Sequence, residues 1–353
     1  MIMEGENMYR VIQCATGSIG RSTLRRIIDH PDLELAGLFV YGSKAGLDAG
    51  QIAKRPPTGI IATSNLAEIL ALDADVVIHT SRITVPYARQ NAEVAQFLAS
   101  GKNVISVNGF FYPEVHGEAY AGPLRAACER GGSTLAGVGL NPGFIAERIA
   151  LAMSGLCAQV DYIGSFEMVD GSYIDAPEFV FGTMGFGTDP SANDITKGPL
   201  AQLYFDLYIE TFAYAADAMG TSIASILPDH RLTLAPDDMK IAAGIIRRGT
   251  VAATEWRWNA AFADGRRMTH SLLWTASPQL HGDDDPAHWR IEIKGRPNVN
   301  LSFSLEDPDP AAPPSRAGAD ATAATVIRAI PDVCSAKPGF FRFTPLAPFR
   351  ERF

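Results

Sequence analysis

The sequence predicts an α/β protein: an N-terminal, doubly wound parallel sheet, followed by a second α+β domain built on an antiparallel sheet. Three observations support this fold class. Apolar strand patterns alternate with helical patterns through about residue 150, which favours βαβ units. A glycine turn joins the first strand to the first helix. From about residue 156 longer alternating strands flank Asp264-Gly265, a dipeptide typical of an antiparallel hairpin.

The first glycine turn is Gly17-Ser18-Ile19-Gly20, between an apolar strand that begins near Tyr9 and a helical pattern. Glycines at such a turn let backbone N–H groups approach a phosphate, and the helix N-terminus adds partial positive charge. A full dinucleotide fingerprint contains a third glycine, which this chain lacks near Ala15. The turn therefore predicts a coenzyme site, with tight strand–helix packing as the alternative.

The remaining elements of the first domain follow the same alternation. Strands are predicted over 33–40, 59–63, 74–81, 103–107 and 134–138, and helices over 65–72, 85–100 and 119–130. Ligands of open α/β sheets lie beyond the carboxyl ends of the strands. Thr80 and Ser81 end one strand, and we expect them near the coenzyme. Ser43 and Lys44 follow another strand that ends without a carboxylate, so with Arg21 they favour NADP, although NAD is possible.

The second half of the chain contains strand patterns with helices on either side. Strands are predicted over 159–166, 250–263, 266–276, 288–294 and 298–305, and helices over 199–219 and 321–330. We therefore expect three segments. Residues 1–150 form a dinucleotide-binding (Rossmann) domain, residues 151–310 a substrate and dimerisation domain, and residues 311–353 a C-terminal helix and arm that return to the first domain.

Composition excludes several classes of protein. The net charge of −9 argues against a general nucleic-acid or anionic-membrane binder. No apolar run approaches the ~20 residues needed to span a bilayer, and the polar, acidic first residues do not resemble a signal peptide. The four cysteines are scattered without a C-x-x-C pair, so we expect reduced thiols, no metal site and a cytoplasmic location.

Several stretches, in order, resemble the dihydrodipicolinate reductase-like family, near 2,4-diaminopentanoate dehydrogenase and the native NAD(P)H-dependent amine dehydrogenases. The stretches are Ala15–Arg21, Lys44–Gly50, Asp75–Thr80, Gly101–Ser106, Gly139–Phe144 and Ala321–Pro331. The resemblance implies a homodimer and reversible hydride transfer between nicotinamide and the carbonyl or imine carbon of a small, fairly apolar substrate. It also implies that Gly17 to Gly20 meet the pyrophosphate and that Ser43 and Lys44 meet the adenosine ribose.

On the nicotinamide side, the resemblance assigns Thr80, Ser81 and the Asn141-Pro142-Gly143 turn. The chain departs from the family just after the fifth predicted strand. The amine dehydrogenases have a glutamate there, whereas this chain has Asn108. An asparagine can bind a substrate through hydrogen bonds but cannot act as a general base.

The proton donor is therefore open. The candidate catalytic residues are Asn108, Glu114 and Tyr173, with Tyr112 and His116 as further candidate donors. Two alternatives remain: a ketone or aldehyde reductase without amine chemistry, and a non-catalytic NADP-binding homologue. An acylating aldehyde dehydrogenase would need a cysteine nucleophile just beyond the fifth predicted strand, near the nicotinamide. No cysteine stands there, and Cys128 falls inside a predicted helix.

Overall fold

The computed structural model describes residues 8–192, 197, 199–281 and 288–351. The chain divides into two compact units. The first contains the residues up to Phe144 together with 209–211 and 315–343, and the second contains 145–208, 212–314 and the residues from Thr344 onward. The segment that includes the last helix thus groups with the first unit, and the C-terminal tail groups with the second.

The first unit is built on a six-stranded parallel sheet. Its strands are β1 (Tyr9–Cys14), β2 (Leu33–Phe39), β3 (Val76–His79), β4 (Asn103–Ser106), β5 (Thr134–Gly137) and β15 (Gly339–Phe341). Its helices are α1 (Ser18–Asp29), α2 (Ala49–Ala53), α3 (Leu66–Ala71), α4 (Asn91–Ala99), α5 (Glu118–Gly131) and α8 (Ser315–Ser335). The strand order β15-β5-β4-β3-β1-β2 is that of a doubly wound fold, and the predicted fold class is confirmed.

Helices cover both faces of this sheet, which explains the apolar runs of its strands. Val11 of β1 packs in a cluster with Leu24 of α1 and Ile330 of α8. The next residue, Ile12, points to the opposite face and packs in a cluster with Phe97 of α4 and Leu124 of α5. All six side chains are fully buried. The sheet is therefore a rigid support for the loops at its carboxyl edge.

Residues 59–63, predicted as a strand, form only isolated bridges. The reason is local hydrogen bonding around Asp48. The backbone N–H groups of Thr58 and Gly59 donate to the Asp48 carboxylate at 3.1 and 2.8 Å. These donors are thereby used in a turn, and the chain does not extend alongside β2 as a regular strand.

The helix predicted over 85–100 is divided. A 3₁₀ turn at Tyr87–Gln90 precedes α4, which begins at Asn91. Pro86 disfavours the α-helical conformation of Val85, so the helical segment does not begin at that residue. Helix α8 is longer than the predicted 321–330, and the tail expected to be an extended arm contributes β15, which pairs with β5.

The second unit is built on a mixed sheet in the order β14-β13-β6-β12-β11-β7, with β8 also paired to β11. These strands are β6 (Gln159–Asp170), β7 (Ile223–Pro228), β8 (Arg231–Leu234), β11 (Val251–Phe262), β12 (Arg267–Thr275), β13 (Trp289–Arg296) and β14 (Val299–Phe303). A separate hairpin comprises β9 (Met239–Ile241) and β10 (Gly244–Ile246). The helices are α6 (Leu151–Ser154) and α7 (Pro199–Ala218), of which residues 209–211 group with the first unit.

The sequence predicted an antiparallel sheet here, but the observed sheet is mixed. Strands β6 and β12 run parallel, because the long chain segment between them returns to the same end of the sheet before β12 begins. The hairpin around Asp264-Gly265 is present as predicted and joins β11 to β12.

Among the described residues, no helix is both long and apolar enough to cross a membrane.

His270 on β12 is a fully buried titratable group of the second unit. The rings of Tyr208 and Phe212 pack against it with centroids 4.7 and 6.5 Å away. Neither ring nitrogen has a hydrogen-bond partner among the described residues. Burial lowers the pKa of His270 to about 3, so the folded protein holds this imidazole neutral.

A His270→Leu variant should lose part of the pH dependence of stability. The unfolded chain binds a proton at the ordinary histidine pKa of about 6.5 whereas the folded chain does not, so stability falls as pH falls through 6.5 toward 3. Between pH 8 and pH 5 this costs wild type about 2 kcal/mol in the free energy of unfolding. Urea unfolding at both pH values measures the loss, and an equal loss in the variant would contradict the assignment.

Candidate active site

The candidate site of the first unit lies at the carboxyl edge of its sheet. Strand β1 is flanked by β2 on one side and by β3 on the other. The chain therefore winds away from β1 in both directions, which leaves a crevice where the loops after β1 and β3 separate. The glycine turn after β1 and residues 80–81 after β3 both open onto this edge.

The glycine turn has the shape that its sequence suggested. Ala15, where the dinucleotide fingerprint has a glycine, adopts a left-handed conformation with φ of 69°, which glycine adopts more readily. A Cβ on Gly20 would lie 2.5 Å from the carbonyl oxygen of Ala15 and 2.6 Å from Oγ1 of Thr80. Gly20 is therefore required for the close packing of α1 against β1 and β3.

Helix α1 presents an N-terminus suited to an anion. Its N-cap residue, Gly17, has no side chain that could cap the helix. The first turn, all of whose residues are described, contains no acidic residue. The first N–H groups of a helix have no acceptor within the helix, so those after Gly17 are available to a ligand. A Cβ on Gly17 would meet no described atom within 4 Å. Ser18 and Arg21 are exposed, and Ile19 is half-buried. This donor set fits a pyrophosphate.

A buried network holds the turn in place. The Gln13 amide nitrogen donates to the Ala15 carbonyl oxygen and to Thr80 Oγ1, both at 3.0 Å, and Thr23 Oγ1 donates to the Gln13 Oε1 atom at 2.7 Å. Thr80 Oγ1 donates in turn to the Cys14 carbonyl oxygen at 2.8 Å. The hydroxyl of Thr80, predicted to line the coenzyme site, is thus used in joining β3 to the turn.

Two cations lie beside the turn. Lys44 donates to the carbonyl oxygen and hydroxyl of Thr16 at 2.8 and 3.0 Å. Partial burial and the charge of Arg21 lower the pKa of Lys44. The two positive charges lie close enough to repel one another. A negatively charged phosphate group bound between them would be favourable. Ser43, the preceding residue, is exposed.

The loops after β3 and β4 are joined through Asn108. Its side-chain amide donates to the carbonyl oxygen of Ser81 at 2.7 Å. The Ser81 hydroxyl bonds in turn to the Tyr41 hydroxyl, also at 2.7 Å. Ser81 is buried and Asn108 is half-buried. The structure therefore brings together Ser81 and Asn108, two residues that the sequence predicted separately.

The Asn141-Pro142-Gly143 turn follows β5 and contains a cis peptide between Asn141 and Pro142. Gly143 has a φ of 120°, and a Cβ there would lie 2.6 Å from both the Gly139 nitrogen and a ring carbon of Phe111. The turn is therefore tightly packed against the loop that follows β4, which also carries Asn108.

The carboxylate of Glu114, a predicted catalytic residue, is bound by Arg342. One guanidinium nitrogen lies 2.9 and 2.8 Å from its two oxygens, and the guanidinium also stacks on Tyr112 at 4.1 Å from the ring centroid. Glu114 thus anchors the segment after β15. Its oxygens are already paired, which disfavours Glu114 as the proton donor.

His116 instead pairs with a buried carboxylate. Its Nε2 atom lies 2.9 Å from Oε1 of Glu210, which also accepts the Tyr87 hydroxyl at 2.7 Å, while Oε2 accepts the backbone N–H of Tyr112 at 2.8 Å. Glu210 is fully buried. A histidine held by a carboxylate is an arrangement suited to proton transfer.

Tyr173, the remaining predicted catalytic residue, lies in the second unit after β6. It is half-buried, and burial together with the nearby Asp170 raises the pKa of its hydroxyl. The hydroxyl therefore stays protonated at neutral pH. Phe186, a nearby aromatic residue in the sequence, is part of the core of this unit.

No family model matches the chain. Among curated proteins, it is 25% identical over 349 residues to an amine dehydrogenase of Streptomyces virginiae, covering 95% of each. It is 23% identical over 339 residues to the 2,4-diaminopentanoate dehydrogenase of Acetoanaerobium sticklandii, covering 94% of this chain and 91% of the relative. The chain thus resembles an amine dehydrogenase over 95% of its length. The predicted resemblance and the predicted class, a nicotinamide-dependent dehydrogenase, are confirmed.

Solved structures support the same fold. An amine dehydrogenase from Mycobacterium smegmatis matches with a TM-score of 0.72 at 17% identity, covering 98% of this chain and 97% of that one. GenD2 from gentamicin A biosynthesis, solved in complex with NAD, matches with a TM-score of 0.56 at 17% identity, covering 96% and 92%. Both matches extend over nearly the full length of this chain.

Sequence reasoning missed several residues of the site, of which Glu210 is the most informative. Glu210 is the single carboxylate in the apolar stretch 207–216 of helix α7, and a lone acid in such a stretch was the available signal. Gln13 and Arg342 carried no comparable signal, because their partners are distant in the sequence.

Proposed function

We propose that this protein is an NAD(P)H-dependent oxidoreductase that transfers hydride between nicotinamide and the imine or carbonyl carbon of a small, fairly apolar substrate, as an amine dehydrogenase does. The observation that carries this proposal is the uncapped N-terminus of α1 at the glycine turn, in a chain similar to an amine dehydrogenase over 95% of its length. When bound, the coenzyme supplies the hydride, and the chain orients the substrate and exchanges the proton.

For the coenzyme, we assign Gly17, Ser18, Ile19 and Gly20 to the pyrophosphate, because the first N–H groups of α1 lie there. Ser81 and the Asn141-Pro142-Gly143 turn are assigned to the nicotinamide side, with Thr80 supporting the turn from behind. These assignments follow the resemblance and are compatible with the described contacts.

NADP is the coenzyme that we propose. The ammonium of Lys44 lies against the glycine turn and close enough to Arg21 for their charges to interact. Strand β2 is followed by Val40-Tyr41-Gly42-Ser43, without the carboxylate that binds the ribose hydroxyl in NAD-preferring proteins. The two cations and Ser43 would bind a 2′-phosphate, and NAD is the alternative.

For proton transfer, we propose His116, held by Glu210 at 2.9 Å, with exchange to the substrate directly or through a water. This pair would supply the acid–base group that Asn108 cannot provide. Asn108, which follows β4, would orient the substrate by hydrogen bonding. Tyr173 is the alternative donor because its hydroxyl keeps its proton at neutral pH.

A second candidate function is the reduction of ketones or aldehydes without amine chemistry. Asn108 favours this function. By resemblance, the amine dehydrogenases have a glutamate at the position of Asn108, whereas a carbonyl substrate carries no amine proton and does not need that glutamate. A non-catalytic, NADP-binding homologue is the third candidate, and it too is consistent with Asn108.

A spectrophotometric assay separates these functions. Purified protein is given NADPH or NADH with a panel of ketones and aldehydes, each with and without ammonia. Oxidation of NADPH only with ammonia is the expected result, and it would establish reductive amination. Oxidation without ammonia would make the protein a carbonyl reductase. Stabilisation by NADPH without turnover would favour the non-catalytic function, and a preference for NADH would overturn the assignment of Lys44.

We also propose a homodimer that acts in the cytoplasm. The dimer is inferred from the resemblance alone, and light scattering coupled to size-exclusion chromatography measures it directly. All four cysteines are free, which suits a reducing compartment. The net charge of −9 gives no reason to expect nucleic acid as a partner.

A further inference from the structure

Three potential metal ligands converge at the carboxyl ends of β1 and β3 beside α4. The Cys14 thiol, a His79 ring nitrogen and a Glu93 carboxylate oxygen all lie within 4.8 Å of one another. His79 Nε2 is 3.7 Å from Glu93 Oε1. Ligand atoms around one tetrahedral zinc ion lie about 3.3–3.6 Å apart, given metal–ligand bonds of about 2.0–2.3 Å. The longest separation within the cluster would thus have to contract by no more than about 1.5 Å to hold an ion.

His79 is oriented as a metal ligand would be. It is fully buried, and its Nδ1 atom lies 3.0 Å from the Ser106 hydroxyl. An Nδ1–H donated to Ser106 leaves a lone pair on Nε2, as in histidines that bind metals. Nε2 has no hydrogen-bond partner among the described residues, and it faces the Glu93 carboxylate. Burial of such an unpaired atom is costly, and a bound cation would remove the cost.

The other two ligands complete a mixed sulfur, nitrogen and oxygen set. The Cys14 thiol is fully buried, and its polar neighbours are the hydroxyls of Tyr41 at 3.4 Å and Ser81 at 3.6 Å. The Tyr41 hydroxyl also donates to Glu93 at 2.5 Å. The side chain of Glu93 is 21% exposed and Tyr41 is 56% exposed, so an ion has a path from solvent.

We propose that Cys14, His79 and Glu93 bind a borderline divalent transition-metal ion of the zinc class. Thiolate and imidazole ligands select such ions over magnesium or calcium. The ion would fasten α4 to the ends of β1 and β3, immediately before the glycine turn.

The test uses the full chain, stripped with a chelator and titrated first with Co²⁺ and then with Zn²⁺. We expect one equivalent of cobalt to produce a thiolate-to-cobalt charge-transfer band, and zinc to displace it and raise the melting temperature. Glu93→Gln, at a partly exposed position, should weaken binding at least about tenfold, and Cys14→Ser should abolish the band.

Cys128→Ser is the matched control, because Cys128 is also a buried free cysteine of the first unit but is not part of the cluster. This variant should bind cobalt as wild type does. Failure of wild type to bind cobalt or zinc saturably would overturn the proposal. Equal zinc affinity in wild type, Cys14→Ser and Glu93→Gln would also overturn it. If one of the two variants folds poorly, the other is compared with wild type and Cys128→Ser, which serve as references.

Discussion

Replacement of His116 by glutamine is expected to lower kcat about a hundredfold or more, while NADPH affinity stays unchanged. A positioned acid–base group contributes about 10²–10⁴ in rate, and His116 is the proposed group. Glutamine keeps a hydrogen-bond donor that can reach Glu210, so the packing around this buried carboxylate is largely retained. Steady-state kinetics with the substrate found in the assay measure kcat, and fluorescence titration measures NADPH binding.

Glu114→Gln is the matched control for this experiment. Glu114 lies two residues before His116 in the same 3₁₀ turn, but its carboxylate is bound by Arg342. We expect this variant to lose stability and to keep kcat within a few fold. A kcat for His116→Gln within threefold of wild type would refute the assignment and favour Tyr173.

Replacement of Gly17 by alanine is expected to weaken NADPH binding about 10- to 100-fold, the range expected when charge-assisted hydrogen bonds are lost. A Cβ at Gly17 meets no described atom within 4 Å, and the φ of Gly17 is −66°, so the fold accepts the methyl group. The proposed pyrophosphate would not. We therefore expect a melting temperature close to that of wild type together with a large loss of affinity.

Two further glycines complete this test. Gly20→Ala should lose both stability and coenzyme affinity, because its Cβ would lie 2.5 Å from the Ala15 carbonyl oxygen. Gly318→Ala, in α8, meets no described atom within 4 Å and should alter neither property appreciably. If Gly17→Ala binds NADPH as wild type does, the N-terminus of α1 is not the pyrophosphate site.

The sequence determined the architecture of the first unit because its signals are local. Apolar runs such as the one that contains Val11 and Ile12 indicate strands buried on both faces, and Gly17 and Gly20 mark a strand–helix turn wherever the rest of the chain lies. The same local logic failed at residues 59–63. There the Asp48 carboxylate takes backbone donors that a strand would have used.

Tertiary structure alone decided which side chains meet. His116 and Glu210 are 94 residues apart, and Glu114 and Arg342 are 228 apart, so no spacing in the sequence could pair them. Cys14, His79 and Glu93 belong to three different elements, and they converge only because β1 and β3 are neighbours in the sheet. Local patterns predict strands, helices and turns, whereas the chemistry of the site depends on contacts that chain folding creates between distant residues.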